Sequence, residues 1–221
     1  MPTSGKVFRL TEDITLEEIK KRIEGFAEKA ESAGYELVAD ISSVREGIND
    51  LYGRYKFDAL IEKWHRDVSR VIPYTTAAPF LFFEYKGNMY LLVIIKKSIA
   101  NYVANRLSDI IFEEVGVIIE CRIRSNQLKN YTKENEETKI MLLTDFLLPG
   151  MNKLTIYGDD VLETQPHTDY AGDGETSYIV LKSKLTGYTV GITEEASVTI
   201  FSTVDEEGFI EYIKDEILSM I

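Results

Sequence analysis

The chain has 221 residues, 44% of them hydrophobic, enough for one substantial core or two modest domains. Its 37 acidic residues outnumber 25 basic ones, and the net charge of −12 disfavours nucleic acid unless a basic face is local. No apolar run reaches the roughly 20 residues of a membrane-spanning helix, and the single cysteine, Cys121, excludes an internal disulfide.

The polar start Met-Pro-Thr-Ser-Gly-Lys predicts no secretory signal. Cys121 lies among apolar neighbours and reads as a small buried hydrophobe in a reducing compartment, so the expected location is the cytoplasm. Glutamine occurs only at Gln127 and Gln165 while Ile, Glu and Lys are abundant, a bias of proteins from hot environments.

Lys6 to Leu10 is a short strand. Thr15-Leu-Glu-Glu18 is a capping box that opens a helix with Leu16, Ile19, Ile23, Phe26, Ala27 and Ala30 inward and Gly34 as its stop. Tyr35 to Ile41 follows as a strand, completing a β-α-β unit. Val44, Ile48, Leu51, Tyr52 and Tyr55 have helical spacing weakened by Gly47 and Gly53. Phe57, Leu60, Ile61, Trp64, Val68, Val71 and Ile72 continue it more cleanly up to Pro73, so a helix is predicted over 57–72. A strand over 54–62 competes, because Tyr55, Phe57, Ala59 and Ile61 also alternate.

The densest apolar stretch runs from Pro79 to Arg124. Phe80 to Tyr85 and Met89 to Ile95 are apolar on consecutive residues, as strands covered on both faces are. The intervening Lys86-Gly87-Asn88 is a hairpin signal. Pro79 suits the first position of a strand rather than its middle. Ser98 to Glu114 is a helix, with Ile99, Val103, Leu107 and Ile111 on one side, and Val117 to Ile123 is a strand returning beside the hairpin. Lys129 to Thr138 is polar and reads as a linker. Strands follow at 139–143 and 153–157, then a loop over 158–177, a hairpin of 178–183 with 188–192, a strand at 197–201 and a terminal helix over 205–221. The expected architecture is α+β: a mixed, largely antiparallel sheet, helices packed mainly on one face, and two subdomains, residues 1–134 and 139–221.

The long loop holds Asp159, Asp160, Glu163, His167, Asp169, Asp173 and Glu175. Carboxylate oxygens suit Mg²⁺, Mn²⁺ or Ca²⁺, and His167 adds a nitrogen donor. Asp159, Asp160, His167, Asp169 and Asp173 are therefore the candidate ligands of a divalent cation, although their spacing is not that of a calcium-binding loop. His65 stands beside Trp64 with Lys63, Arg66 and Arg70, and with Arg45 and Arg54 these make one local positive face.

The order helix, strand, strand, helix, strand over 57–123 resembles the core of the PD-(D/E)xK nuclease superfamily. The resemblance implies an Asp on the first core strand and Glu-x-Lys on the next, holding Mg²⁺ to activate water. Here Pro79 is followed by Phe80, and the Glu-x-Lys place reads Ile94-Ile95-Lys96. A Glu84-Tyr85-Lys86 triplet occurs on the earlier strand, against the turn. The carboxylates of the family pattern are thus absent or displaced.

Phosphate-binding glycine loops and a G-x-S-x-G elbow are absent, and zinc spacing of paired cysteines is impossible. No complete catalytic set is visible. The expectation is a non-catalytic binding or regulatory protein acting through a protein partner or self-association. The rivals are a metal-dependent phosphodiesterase or nuclease-like protein, and a structural subunit of a homo-oligomer.

Overall fold

The structure, a computed structural model, describes residues 2–221. Among the described residues, twelve strands and five α-helices make an α+β fold in which the paired strands with a defined register run antiparallel. Among the described residues no helix is long and apolar enough to cross a membrane. Contacts divide the described residues into two compact units, Phe8–Ile119 and a second made of residues 2–7 with Glu120–Ile221.

The first unit begins in β1 (Thr3–Leu10), whose first half belongs to the other unit. The Thr15–Glu18 capping box forms as expected: the Glu18 amide donates to Thr15 Oγ1 at 3.2 Å and the Thr15 amide to Glu18 Oε2 at 3.0 Å. The helix it opens, α1, covers only Leu16–Ile23. Gly25 takes φ +76° and turns the chain out. The residues expected to extend the helix are instead β2 (Ala27–Ser32), paired with β3 (Tyr35–Glu46). Ala33 and Gly34 both have positive φ, the requirement of a two-residue hairpin turn, so Gly34 closes a hairpin and not a helix.

The helix expected over 57–72 is absent, and so is the helical region before it. Residues 57–72 lie in β4 (Asp50–His65), β5 (Val68–Tyr85) and the turn between them, a long hairpin, and of the earlier region Val44 lies in β3 and Leu51, Tyr52 and Tyr55 in β4. Gly53 pairs with Phe80, whose ring lies over it; a helix would leave that ring unfilled space and no partner strand. Pro79 sits inside β5, not at its start. Its carbonyl accepts the Ile94 amide at 2.8 Å. The nitrogen of a strand residue points to the same side as its carbonyl. At Pro79 that side faces beyond the end of the next strand, so the ladder to β4 loses no donor.

The hairpin of β5 with β6 (Asn88–Val93) forms as expected, with Lys86 and Gly87 at positive φ. So does α2 (Lys97–Phe112). Strand order in this unit is β2-β3-β4-β5-β6. Leu51, Tyr55, Phe80, Phe82, Leu91 and Val93 form one core with Ile19 and Ile23 of α1 and Val103, Leu107 and Ile111 of α2. The chain leaves through β7 (Ile118–Glu120), which pairs with β1 and does not return beside the β5–β6 hairpin. The observed order of elements therefore removes the nuclease resemblance: the element directly before the two apolar strands is β4, not a helix.

In the second unit, residues 129–138 are not a linker. They belong to α3 (Ser125–Glu134) and the start of β8 (Glu136–Thr144). β9 (Lys153–Tyr157) pairs with β8. The loop over 158–177 carries a 3₁₀ turn, Val161–Glu163, and α4 (Gln165–Tyr170). β10 (Glu175–Lys182), β11 (Thr189–Thr193) and β12 (Ser197–Ile200) follow close to expectation. The order is β12-β11-β10-β8-β9, with Thr3–Lys6 of β1 on β12. The terminal helix divides into α5 (Glu206–Tyr212), a π turn over Ile213–Ile217 and a 3₁₀ turn over Leu218–Met220. Asp205 caps it, accepting the Gly208 amide at 2.9 Å.

Candidate functional site

The five candidate metal ligands are each placed by local turns. Asp159 is exposed and its carbonyl accepts Lys139 Nζ at 2.9 Å. Asp160 caps the 3₁₀ turn through the Leu162 amide at 3.1 Å. His167 and Asp169 are on α4, where Asp169 accepts Gln165 Nε2 at 2.7 Å. Partial burial holds the His167 imidazole below its usual pKa. Asp173 is held by its backbone, which accepts the Leu147 amide at 3.0 Å. Among the described residues no three His, Cys, Asp or Glu side chains converge on a point where a metal would sit.

A different feature stands out in the first unit. The β3 register on β4 ends at Ala39 opposite Phe57, and β6 covers β5 only from Phe80 onward. From Asp58 opposite Thr75 to His65 opposite Val68, β4 and β5 pair with each other alone, over about 25 Å of strand. Asp58 marks the base: its carboxylate accepts the Val38 amide at 2.9 Å and the Thr75 hydroxyl at 2.5 Å. Further out the Tyr35 hydroxyl donates to the Val71 carbonyl at 3.1 Å. The turn is Arg66-Asp67, with Arg66 at φ +53°, a conformation that costs a non-glycine residue.

Residues directly opposite share a face. The face continuous with buried Tyr55 and half-buried Phe57 carries Ala59 with Tyr74, Ile61 with Ile72, Lys63 with Arg70, and His65 with Val68. Phe57 is still covered, its ring 4.9 Å from that of Tyr102 on α2. Beyond it Ala59, Ile61 and Ile72 are half-buried, and Tyr74, Lys63, Arg70, His65 and Val68 are exposed. The other face carries Leu60 with Pro73, Glu62 with Val71, and Trp64 with Ser69. Trp64, the only tryptophan, is 68% exposed, and Val68, Val71 and Tyr74 are exposed as well. Apolar side chains concentrated on a projecting element mark an interaction surface. Lys63 directly opposite Arg70 is an unfavourable pair of like charges in the isolated chain.

The positive face expected from the sequence is thus partly real and differently built. Lys63, Arg66 and Arg70 gather at the ribbon tip, while Arg45 and Arg54 lie back on the sheet beside Tyr52. The sequence signal that marks the ribbon is the alternation Tyr55, Phe57, Ala59, Ile61, which a helical spacing masked.

At the other end of β5 the same unit has an open cleft of about 600 Å³. Leu10, Ile14, Leu16 and Met89 give it apolar walls, and Glu12, Asp13, Glu18 and Glu84 outnumber the one cation, Arg9. Glu18 is held below the usual carboxylate pKa by its bonds from the Thr15 amide and hydroxyl. In the second unit a smaller depression of about 270 Å³ lies against Tyr131 and Glu216, which are already bonded to each other at 2.6 Å.

No protein-family model matches this chain, and no curated protein matches it either.

Proposed function

We propose that this is a non-catalytic binding protein whose working part is the β4–β5 ribbon. The observation that supports the reading is the ribbon itself: two strands leave the sheet together and carry exposed Trp64, Val68, Val71 and Tyr74 beside three cations. An isolated hairpin is marginally stable in water, so a chain that keeps one this long and this apolar has a use for it. Binding requires no catalytic set.

Trp64 makes the test direct, since its emission is the only indole signal of the protein. A variant with residues 60–73 replaced by a tight turn keeps the sheet, because that segment pairs within itself. The native protein docks its partners and the shortened one does not, and docking shifts Trp64 emission to shorter wavelength and shields it from acrylamide. A shortened protein with unchanged associations would defeat the reading.

A further inference from the structure

We propose that the occupant of the ribbon tip is the acidic cleft of a second copy of this chain. The inference rests on the reading of the ribbon as a docking arm and goes on to name what the arm holds.

Three observations carry it. The tip is net cationic: exposed Lys63, Arg66 and Arg70 outnumber Glu62 and Asp67, and no carboxylate is paired with the three cations among the described residues. Ribbon against ribbon would set these cations against their copies, so a symmetric tip-to-tip contact is repulsive. The tip needs an acidic, concave and partly apolar surface, and the protein as a whole is strongly acidic at −12.

The cleft has those properties. Glu12, Asp13 and Glu84 line it with Ile14 and Met89, and its volume of about 600 Å³ falls in the range that accepts a bulky ligand, about 300–1,000 Å³. Trp64, on one face of the ribbon, supplies the aromatic part of such a ligand, and Lys63 and Arg70 on the other face with Arg66 in the turn supply its charge.

The two surfaces also stand at opposite ends of one strand. Val68 begins β5 at the tip, and Glu84 is next to its last residue, at the cleft. Along an extended strand that is about 50 Å. The tip therefore cannot fill the cleft of its own chain, whereas a neighbour's tip can. A contact between unlike surfaces either closes by reciprocal exchange in a side-by-side pair or runs on head to tail.

A charge swap tests it. One variant carries Lys63→Glu and Arg70→Glu at the tip; the other carries Asp13→Lys and Glu84→Lys in the cleft. All four positions are exposed, and melting curves verify that both variants fold. At low salt the native protein sediments above its monomer mass of 25.2 kDa and its Trp64 is shielded. Each variant alone associates at least about tenfold more weakly. Mixing the two, or combining all four changes in one chain, restores association.

Native protein that stays monomeric overturns the proposal, as does a cleft variant that associates like the native chain. Addition of poly-glutamate or a DNA duplex then separates the two readings. Shielding of Trp64 by either probe keeps the docking arm and removes only the second copy as its occupant. An arm that no probe or copy shields removes both.

Discussion

The Asp58 carboxylate accepts the Val38 amide at 2.9 Å at the point where β3 stops pairing with β4. A side chain takes over from the missing backbone ladder between β3 and β4, and beyond it β3 pairs with β2 while β4 pairs with β5. The bond from Thr75 on the opposite strand ties both sides of the ribbon base to the same carboxylate.

Those bonds hold the Asp58 carboxyl below its usual pKa, the Thr75 hydroxyl contributing most and the Val38 amide next. A depressed folded-state value means the stabilisation is present above the ordinary carboxylate value, near pH 4, and is lost as pH falls through the lower folded value. Acid should therefore loosen the ribbon base first. Asp58→Ala should cost about 1 kcal/mol and remove this acid step. Hydrogen exchange of the ribbon amides across that pH range checks both.

Gly53 is packed against the Phe80 ring so closely that an added Cβ would stand 2.4 Å from its Cζ. Phe80 is fully buried and has no room to retreat. Gly53→Ala should destabilise the protein by about 1–3 kcal/mol through overpacking. Were residues 43–55 helical, the same change would stabilise by roughly 1 kcal/mol, so the sign of the shift in a denaturant melt decides between the two.

The hydroxyls of Tyr131 and Tyr212 lie 2.9 Å apart, and Tyr131 donates to Glu216. Burial is the main reason both phenols ionise later than usual; the neighbouring Glu216 adds to it. In the other unit burial pushes Tyr55 up to about 12, despite the Arg106 guanidinium beside it. A raised folded-state value gives stability that is complete below the ordinary tyrosine value, near 10, and lost as pH climbs through the folded one. The protein should hold to about pH 10 and then unfold as these phenols ionise together, with a late step in the tyrosinate absorbance. Tyr131→Phe should cost about 1.5–3 kcal/mol, the worth of a hydrogen bond to a charged group.

The carboxylates of Asp160 and Asp169 are already engaged in caps and helix-surface bonds, and Asp159 is exposed. Millimolar Mg²⁺, Mn²⁺ or Ca²⁺ should leave the melting temperature unchanged. A rise with any of the three would show that this segment gathers into a site on metal binding.

Where a few adjacent residues set the backbone, the chain announced its structure. Thr15 and Glu18 close their capping box whatever surrounds them, Lys86-Gly87 supplies the positive φ of its hairpin, and Lys97–Phe112 has one apolar stripe that fits no other period. Composition alone set the net charge of −12. Residues 57–72 are different: Phe57, Leu60, Ile61 and Trp64 satisfy a helix, while Tyr55, Phe57, Ala59 and Ile61 satisfy a strand. Local periodicity is degenerate there, and only pairing with β5 resolves it, because Phe80 fills the space over Gly53 and the β4 ladder needs a partner. The ribbon is likewise invisible along the chain. It exists because β3 parts from β4 at Ala39 and β6 stops opposite Phe80, and where a neighbouring strand parts or stops is a property of three-dimensional pairing that no stretch of β4 encodes.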